Sequence, residues 1–377
     1  IKVLQVIPKL GYGGAETGCY DLAHYLAEKD CSSFIATSGG QLIKFVKKNK
    51  VKIFHLPVHS KNPLLIFFNT VILSILILIN NINIVHARSR APAWSCYLAC
   101  IITGRNFITT FHGTYDLKKF YNSVMLRSKL TIAGSNFIFN HINENYSKYL
   151  GRKKKLRVIF RGINIDYYNK KNISILKQEK LKKEWELFPN RFTILLPGRL
   201  TTWKGQEKFI EALNILIEDY DNLNFQAIIL GSDQGRKVYK KKLINLIQRY
   251  RLNKKIKFIE HCQEMPLAYS IADVVVSSSI EPEAFGRVAV EAQAMEKTII
   301  ASDLGGSKET ILKGKSGFLY KHDDPRALAK TLNNVIGLDQ DTLNSIGNEG
   351  RKNITKKFDV ELMCDSTLRE YKKLLNI

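Results

Sequence analysis

The stretch ADVVVSSSIEPEAFGRVAVEAQAM, residues 272–295, joins an apolar segment to a helix-forming segment through a short loop that contains Phe285 and Gly286. The apolar run is typical of a buried strand, and a helix is expected to begin near the glycine. Glu283 precedes the glycine, and Glu291 lies in the predicted helix. Strand, loop and helix in succession form the repeating unit of a parallel sheet, so this stretch predicts an α/β fold.

Similar apolar runs recur along the chain, each followed by a segment of helix length. We expect strands in the first 135 residues at KVLQVI, SSFIAT, VKIFHL, INIVHA, NFITTF and KLTIAG, and in the second half at FTILLP, FQAIIL, KIKFIE, ADVVVSSS, KTIIAS and GFLY. After Asp324-Pro325 the chain is expected to be helical, with a break near Phe358-Asp359. The sequence therefore predicts two Rossmann-like, doubly wound parallel-sheet domains that face a cleft.

The chain has 377 residues, which is more than one ordinary core needs and suits two domains. Residues between 151 and 190 are basic and rich in Asn, and they interrupt the alternation of strands and helices. We therefore expect an N-terminal domain at 1–165, joined by the C-terminal helix 358–377. A linker and the first helix of the second domain are expected at 166–190, and a C-terminal domain at 191–357.

The charge of the chain is strongly positive and unevenly distributed. The formal net charge is +24, and residues 1–165 alone contain 23 Lys or Arg and 6 Asp or Glu. Such a positive field attracts nucleic acid, anionic lipid head groups or an acidic glycolipid. Lys, Asn and Ile are abundant throughout, as a codon bias towards A+T produces, and this is the alternative explanation.

The longest apolar run is LLIFFNTVILSILILI, residues 64–79, which is interrupted by Asn69, Thr70 and Ser74. Its 16 residues fall short of the roughly 20 that span a bilayer, so we expect a buried or interfacial helix. The opening IKVLQVIPKLGYGGAE lacks the features of a signal peptide, and the 6 cysteines form no CxxC pair or zinc-type cluster. These features predict a cytoplasmic protein with reduced cysteines.

Candidate binding residues follow the predicted strands, because ligands of open α/β sheets bind at the carboxyl ends of the strands. After the first strand, Gly11, Gly13 and Gly14 precede a helix, where backbone N–H groups favour an anion. A plain tight turn is the alternative for these glycines. His112 follows the strand NFITTF and is a candidate for the reaction centre, with a structural role as its alternative.

Charged residues follow two strands of the second half. Arg199 and Lys204 flank a short loop that enters a helix, and two fixed cations there suit a pyrophosphate and the charge of a departing nucleoside diphosphate. Glu283 can face a sugar ring, Glu291 can accept both hydroxyls of a ribose, and Gly286 lets the backbone approach the ligand. Ordinary solvated surface charges are the alternative for all four charged residues.

A metal site would need carboxylates on the ligand edge. Asp219 and Asp221 form a DxD pattern, but they end a predicted helix and precede the strand FQAIIL, which places them on the opposite edge. We therefore expect a polar turn at this pair, no catalytic metal and no other cofactor.

These residues resemble those of the retaining family-4 glycosyltransferases, which have the GT-B fold. The resemblance extends over almost the whole chain and is carried by GYGGAE, FHG, AGSNF, VIFRGINIDYY, GRLTTWKG, ILGSD, EPEAFGRVAVEAQAM and ASDLGGSKETI. The E-x7-E spacing with an internal Phe-Gly, downstream of R-x4-K-G, is its most specific part. By this resemblance, Glu291 would bind the donor ribose, Glu283 the sugar hydroxyls, and Arg199 and Lys204 the diphosphate.

The resemblance also implies roles for the loops of both domains. The backbone of the Phe-Gly turn would contact the sugar, at Phe285, Gly286 and Arg287. Gly13 and Gly14 would close over the phosphate from the other domain, and His112 would face the sugar at the reaction centre. The chain departs from the family at His261, where glycine is common and which bears on the choice of nucleotide, and at Arg161, where Asn is frequent.

The implied function is retaining transfer of a sugar from a nucleoside-diphosphate sugar, with front-face departure and attack and a donor phosphate oxygen as the base. Because the N-terminal domain of such enzymes receives the acceptor, its positive charge and its apolar segment favour a lipid-linked or lipopolysaccharide-core acceptor. The protein is then expected to be peripheral on an anionic membrane surface, at its cytoplasmic face. Two alternatives are a sugar-nucleotide epimerase of the same fold and a basic nucleic-acid-binding protein; we expect no nucleic-acid partner.

Overall fold

The computed structural model describes residues 1–118, 120–150, 155–220 and 224–377. The chain divides into two compact units. Unit 1 comprises Ile1–Gly162 and Val360–Ile377, and unit 2 comprises Ile163–Asp359.

Unit 1 is built on a seven-stranded parallel sheet. Its strands are β1 (Lys2–Ile7), β2 (Ser32–Thr37), β3 (Val51–His55), β4 (Ile84–Ala87), β5 (Asn106–Phe111), β6 (Leu130–Ala133) and β7 (Lys155–Val158). They lie in the order β3-β2-β1-β4-β5-β6-β7. The helices described in this unit are α1 (Gly14–Glu28), α2 (Pro63–Ile79), α3 (Arg90–Thr103), α4 (Phe120–Ser123), α5 (Asn136–Tyr146) and α13 (Val360–Leu375).

Unit 2 repeats this architecture with a six-stranded parallel sheet. Its strands are β8 (Phe192–Pro197), β9 (Phe225–Leu230), β10 (Ile256–Ile259), β11 (Val274–Ser277), β12 (Thr298–Ser302) and β13 (Phe318–Tyr320), in the order β10-β9-β8-β11-β12-β13. The helices described are α6 (Ile175–Glu184), α7 (Gln206–Asp219), α8 (Lys237–Arg249), α9 (Met265–Ser270), α10 (Arg287–Ala294), α11 (Pro325–Ile336) and α12 (Gln340–Lys357).

Burial explains why the strands are apolar runs. The middle strands β1, β8 and β11 are buried at nearly every position, because helices cover both faces of each sheet. The prediction of two doubly wound parallel sheets is therefore confirmed. The expected break near Phe358-Asp359 is also confirmed, since α12 ends at Lys357 and α13 begins at Val360.

The C-terminal helix belongs to the core of unit 1. Met363, Leu368 and Tyr371 of α13 share one buried cluster with Leu22 and Leu26 of α1. Helix α13 thus packs in the same hydrophobic core as α1.

The predicted helix over residues 64–79 is present as α2. It is not buried on all sides, however, because Leu64 and Phe67 on its outer surface are 79% and 70% exposed. The described residues contain no helix that is both long enough and apolar enough to cross a membrane.

Candidate active site

The candidate site of unit 2 lies where the chain direction across the sheet reverses. Strands β8 and β11 are neighbours in the middle of the sheet, with Ile194 paired to Val274. The connections from β8 and β11 run to opposite sides, so the loops that follow these strands lie side by side at the carboxyl edge. Such a switch point is the usual ligand site of a doubly wound sheet.

Hydrogen bonds join these two loops. The N–H of Ile280 donates to the carbonyl of Trp203 at 2.9 Å, and the Ser278 hydroxyl donates to the carbonyl of Lys204 at 3.0 Å. Gly205 has φ +70°, and a Cβ on it would lie 1.9 Å from the Ser278 carbonyl oxygen. Glycine is therefore required there, and the loop that carries Lys204 is fixed against the loop that carries Glu283.

Lys204 and Glu283 form an ion pair within this joined loop structure. The Lys204 Nζ lies 2.8 Å from a Glu283 carboxylate oxygen, and the two side chains are only 13% and 10% exposed. The Ser279 hydroxyl donates to the same carboxylate at 2.5 Å. Burial opposes ionisation of Glu283, but the charge and hydrogen bond of Lys204, with hydrogen bonds from Ser279 and Ser277, outweigh it and hold the pKa of Glu283 below its ordinary value.

The other predicted cation is placed differently. Arg199 is exposed, and its carbonyl accepts a hydrogen bond from the Gln206 side chain at 2.9 Å. The structure thus brings Lys204 and Glu283 together and leaves the Arg199 guanidinium at the surface of the same loop.

The Phe-Gly turn packs against the segment that follows β12. Gly286 has φ +79°, and a Cβ on it would lie 2.5 Å from the Ser307 hydroxyl oxygen. The N–H of Gly306 donates to the carbonyl of Glu283 at 2.7 Å. Phe285 is buried, and the glycine is the N-cap of α10, which begins at Arg287. The turn is therefore rigid, and the first N–H groups of α10 follow it directly.

Glu291 belongs to a second, separate cluster. Its side chain is buried on α10, and it accepts hydrogen bonds from the Tyr168 and Tyr269 hydroxyls, both at 2.8 Å, and from the Arg287 guanidinium. Burial, followed by the charge of Glu291, raises the pKa of both tyrosines well above the ordinary value, so they stay protonated and donate. A carboxylate offers about four acceptor positions, so these three donors leave about one for a ligand hydroxyl and not the two that a ribose would need.

In unit 1, the predicted glycines lie at the start of α1. Gly13 is the N-cap, and a Cβ on Gly14 would lie 2.5 Å from a guanidinium nitrogen of Arg161. The structure thus places a guanidinium at the positive end of a helix dipole. The Glu16 carboxylate of the first turn lies over Gly13, and a negative charge is stabilised there because the guanidinium and the helix dipole both attract it.

His112 follows β5 and shares this electropositive environment. Burial, followed by the charges of Arg161 and Arg88, lowers the pKa of His112 well below the ordinary value. The imidazole is therefore neutral near pH 7. Both of its ring nitrogens are buried, and neither has a hydrogen-bond partner among the residues that the structure describes. A neutral ring with one N–H donor and one acceptor nitrogen can contact a sugar hydroxyl without adding charge.

The predicted polar turn of the DxD pattern is described only in part. Asp219 ends α7 and lies 3.5 Å from Arg326, whereas Asp221 lies outside the described residues. Over 1–118, 120–150, 155–220 and 224–377, no three His, Cys, Asp or Glu side chains form a group that could hold a metal ion. Independence from metal stays a prediction.

The sequence does not reveal three contributors to the site. Tyr168 and Tyr269 are 123 and 22 positions from Glu291, and no local spacing relates them to it. Ser307 contacts Gly286 from the segment LGGSKE, which is recognisable in the sequence only as part of a family motif. The glycine pair in that segment was the available signal for close backbone approach.

Family models match both halves of the chain. A model described as Glycosyltransferase Family 4 matches residues 12–167, and a model described as Glycosyl transferases group 1 matches residues 177–353. A curated relative, the capsular polysaccharide biosynthesis glycosyltransferase CapM of Staphylococcus aureus, is 26% identical over 202 residues, which are 53% of this chain and 51% of that protein. The chain thus spans about half the length of this relative.

Solved structures extend the similarity over the whole chain. A glycosyltransferase from Rickettsia africae ESF-5 has a TM-score of 0.90 and 36% identity, with 99% of this chain and 98% of that one covered. Anabaena Alr3699/HepE, solved in complex with UDP and glucose, has a TM-score of 0.83 and 22% identity over 99% of both chains. WaaG, a glycosyltransferase involved in lipopolysaccharide biosynthesis, has a TM-score of 0.74 and 13% identity, covering 97% of this chain and 98% of WaaG.

The last two likenesses concern the fold alone, which is GT-B. The two family models match the two halves in succession, and the Rickettsia africae protein matches over nearly its full length. The chain belongs to the family-4, group 1 glycosyltransferases.

Proposed function

We propose that this protein transfers a sugar, with retention of anomeric configuration, from a nucleoside-diphosphate sugar to a lipid-linked or lipopolysaccharide-core acceptor. The observation that carries the proposal is the buried Lys204–Glu283 pair at the switch point of unit 2. Glu283 lies on the loop that leads into α10, the helix that carries Glu291. The UDP complex of the Anabaena protein supports a nucleotide-sugar donor.

In this proposal, unit 2 binds the donor. Lys204 and Arg199 neutralise the diphosphate as it departs, in place of a metal ion. Glu283 is held ionised by Lys204 and accepts hydrogen bonds from sugar hydroxyls. Glu291 accepts a ribose hydroxyl at its remaining acceptor position, and the backbone of the Phe-Gly turn contacts the sugar.

Retention follows from the side on which the acceptor attacks. The acceptor hydroxyl approaches the face that the diphosphate leaves, and a donor phosphate oxygen takes its proton. Glu283 is ill suited as a covalent nucleophile, because its charge is already engaged by Lys204 and Ser279. Gly13, Gly14 and His112 of unit 1 complete the set of contacts, the glycines to the phosphate and the neutral imidazole to the sugar.

The acceptor and the location are inferred from unit 1. Its excess of Lys and Arg suits an anionic acceptor at the cytoplasmic face of a membrane, with the protein bound peripherally. The involvement of WaaG in lipopolysaccharide biosynthesis and of CapM in capsular polysaccharide biosynthesis is consistent with a surface glycan.

The donor half of the proposal is tested with nucleoside diphosphates. Thermal shift should identify the preferred nucleotide, and calorimetry should then show that Glu291→Ala weakens its binding at least tenfold. Lys204→Ala should instead lower kcat by about 10²–10³-fold, because its charge acts mainly on the leaving group. Glu281→Ala is the control, because Glu281 is an exposed carboxylate on the loop that carries Glu283. This variant should bind the nucleotide and catalyse transfer like the wild type.

Wild-type turnover in the Glu291 or Lys204 variant would contradict the role given to that residue. NMR of the product should show the anomeric configuration of the donor, and an inverted product would refute retention. Release of an epimerised sugar nucleotide without any acceptor would favour the epimerase alternative.

A further inference from the structure

Helix α2 has its polarity reversed relative to an ordinary surface helix. Its 17 residues include no charged side chain, and its polar residues Asn69, Thr70 and Ser74 are all buried. The exposed side is apolar along the whole length of the helix, with Leu64, Phe67, Phe68, Val71, Ile75, Leu78 and Ile79. An ordinary surface helix presents its polar residues to water, so this orientation calls for a partner.

The buried polar residues show that the orientation is determined by contacts within unit 1. The Asn69 amide donates to the Pro57 carbonyl at 3.2 Å, and the Thr70 and Ser74 hydroxyls donate to carbonyls of α2 itself at 2.8 Å. Ser95 of α3 donates to the Ile66 carbonyl of α2 at 3.2 Å. Rotating α2 to bury its apolar side would break the bonds of Asn69 and Ser95 to neighbouring elements.

The apolar surface continues onto α3. Leu98, Ile101 and Ile102 are exposed at i, i+3 and i+4 spacing and so lie on one side of that helix. Helices α2 and α3 pack against each other. We call the ten exposed side chains the α2–α3 face: Leu64, Phe67, Phe68, Val71, Ile75, Leu78, Ile79, Leu98, Ile101 and Ile102. An apolar surface of this extent is uncommon on a protein that functions alone in water.

The surroundings of the α2–α3 face are positively charged. Arg90 begins α3, and the Arg127 guanidinium lies over the Trp94 ring of the same helix. The segment 31–115, which contains both helices, includes no Asp or Glu. Lys61 is exposed at the entry to α2, and Phe120, which is 73% exposed, stacks on Trp94 of α3 with ring centres 5.0 Å apart. Apolar and aromatic side chains with cations beside them are typical of surfaces that enter an anionic lipid interface.

We propose that the α2–α3 face docks on an anionic lipid bilayer, with both helices in the membrane plane and their apolar side chains among the head groups and upper acyl chains. Charge decides between this occupant and a second copy of the chain, because two copies would bring two cationic surfaces together, whereas anionic lipid has the opposite sign. The inference rests on the proposed membrane-linked acceptor, since docking would bring unit 1 to such a substrate.

Vesicle co-sedimentation of the full chain tests this surface, with phosphatidylglycerol–phosphatidylcholine vesicles against pure phosphatidylcholine at 50 and 500 mM NaCl. The protein should bind the anionic vesicles more tightly, and salt should weaken that binding. Phe67→Ser with Ile75→Ser should reduce the apparent affinity at least tenfold, because both side chains are exposed and would enter the lipid. Val238→Ser with Leu176→Ser, at two apolar side chains of unit 2 that are more exposed than Phe67 and Ile75, is the control and should bind like the wild type.

Two further measurements separate the possible outcomes. Nucleotide binding by Phe67→Ser with Ile75→Ser should equal that of the wild type, so a loss of vesicle binding can be assigned to the face and not to the donor site. Equal vesicle binding by both double variants, or none by the wild type, would overturn the docking proposal and leave the donor proposal intact. Sedimentation velocity without lipid should show a monomer; a dimer that the α2 changes dissociate would assign the face to a second copy.

Discussion

The ion pair between Lys204 and Glu283 should contribute more to the stability of the protein than an exposed ion pair does. Each is nearly buried, and removing one charge leaves the other without its partner in a poorly solvated position. We therefore expect Lys204→Met to lower the free energy of unfolding of the protein by about 3 kcal/mol at pH 7, measured by urea denaturation. Lys204→Met combined with Glu283→Gln should recover part of this loss, because no unpaired charge remains.

The control is Lys352→Met, since Lys352 and Glu349 form a pair in which both side chains are largely exposed. Its effect should stay below about 0.5 kcal/mol. Because the pKa of Glu283 is lowered in the folded protein, the stabilisation from its charge is present above about pH 4.5 and is lost as the pH falls further. A Lys204 variant as stable as the wild type at pH 7 would contradict the pairing.

Only part of the Glu291 cluster can be predicted from the sequence. The E-x7-E spacing identifies Glu291, because Glu283, Gly286 and Glu291 lie on one continuous loop and helix. Tyr168 and Tyr269 reach the same carboxylate from other elements of unit 2. Only the folded chain brings them together, so no spacing in the sequence predicts these hydrogen bonds.

At the scale of an element, the start of α10 depends on glycine for two reasons that substitution can separate. Gly286 has φ +79° and contacts Ser307 closely, whereas Gly235 has φ +85° with no atom near its missing Cβ. Gly286→Ala should therefore lower the free energy of unfolding by about 2–4 kcal/mol, from backbone strain and overpacking together. Gly235→Ala should cost about 1–2 kcal/mol, from strain alone. Equal effects of the two changes in urea denaturation would refute the close contact with Ser307.

The strands can be predicted from the sequence, whereas the orientation of α2 cannot, and both outcomes have a physical reason. Strands β1, β8 and β11 are covered on both faces, so almost every residue is apolar and the run is visible in the sequence. Helix α2 is apolar on nearly all sides, so its sequence predicts a helix but does not predict which side of the helix faces water. Its few polar residues turn inward, to Pro57 and to the helix backbone, and that choice depends on neighbouring elements.

At the scale of the whole molecule, buried histidines couple stability to pH. His86 is enclosed between the Tyr371 hydroxyl of α13 and the Thr110 hydroxyl of β5, at 2.6 and 2.7 Å. Burial, followed by the charge of Arg88, lowers the pKa of His86 well below 6.5, and the pKa of His112 is lowered similarly. Both are neutral when folded and gain protons when unfolded, so their contribution is complete above about pH 6.5 and falls below it.

The free energy of unfolding should therefore fall by about 1.4 kcal/mol per histidine between pH 7.5 and pH 5.5. In urea denaturation, His86→Gln should make the fall in the free energy of unfolding between pH 7.5 and pH 5.5 smaller by about 1.4 kcal/mol. This holds whatever the substitution does to stability at pH 7.5. His322→Gln, at an exposed position of unit 2, is the control and should keep the wild-type dependence. An unchanged slope in the His86 variant would show that folding does not shift the pKa of His86, and would contradict this account.

We propose that the two loops at the switch point of unit 2, together with α10, hold the diphosphate and the ribose of a nucleotide-sugar donor. A crystal structure of the protein with its preferred nucleoside diphosphate tests this most directly. We predict a phosphate oxygen within hydrogen-bonding distance of the Lys204 Nζ and a ribose hydroxyl within the same distance of the Glu291 carboxylate. A nucleotide bound with neither contact would contradict the account.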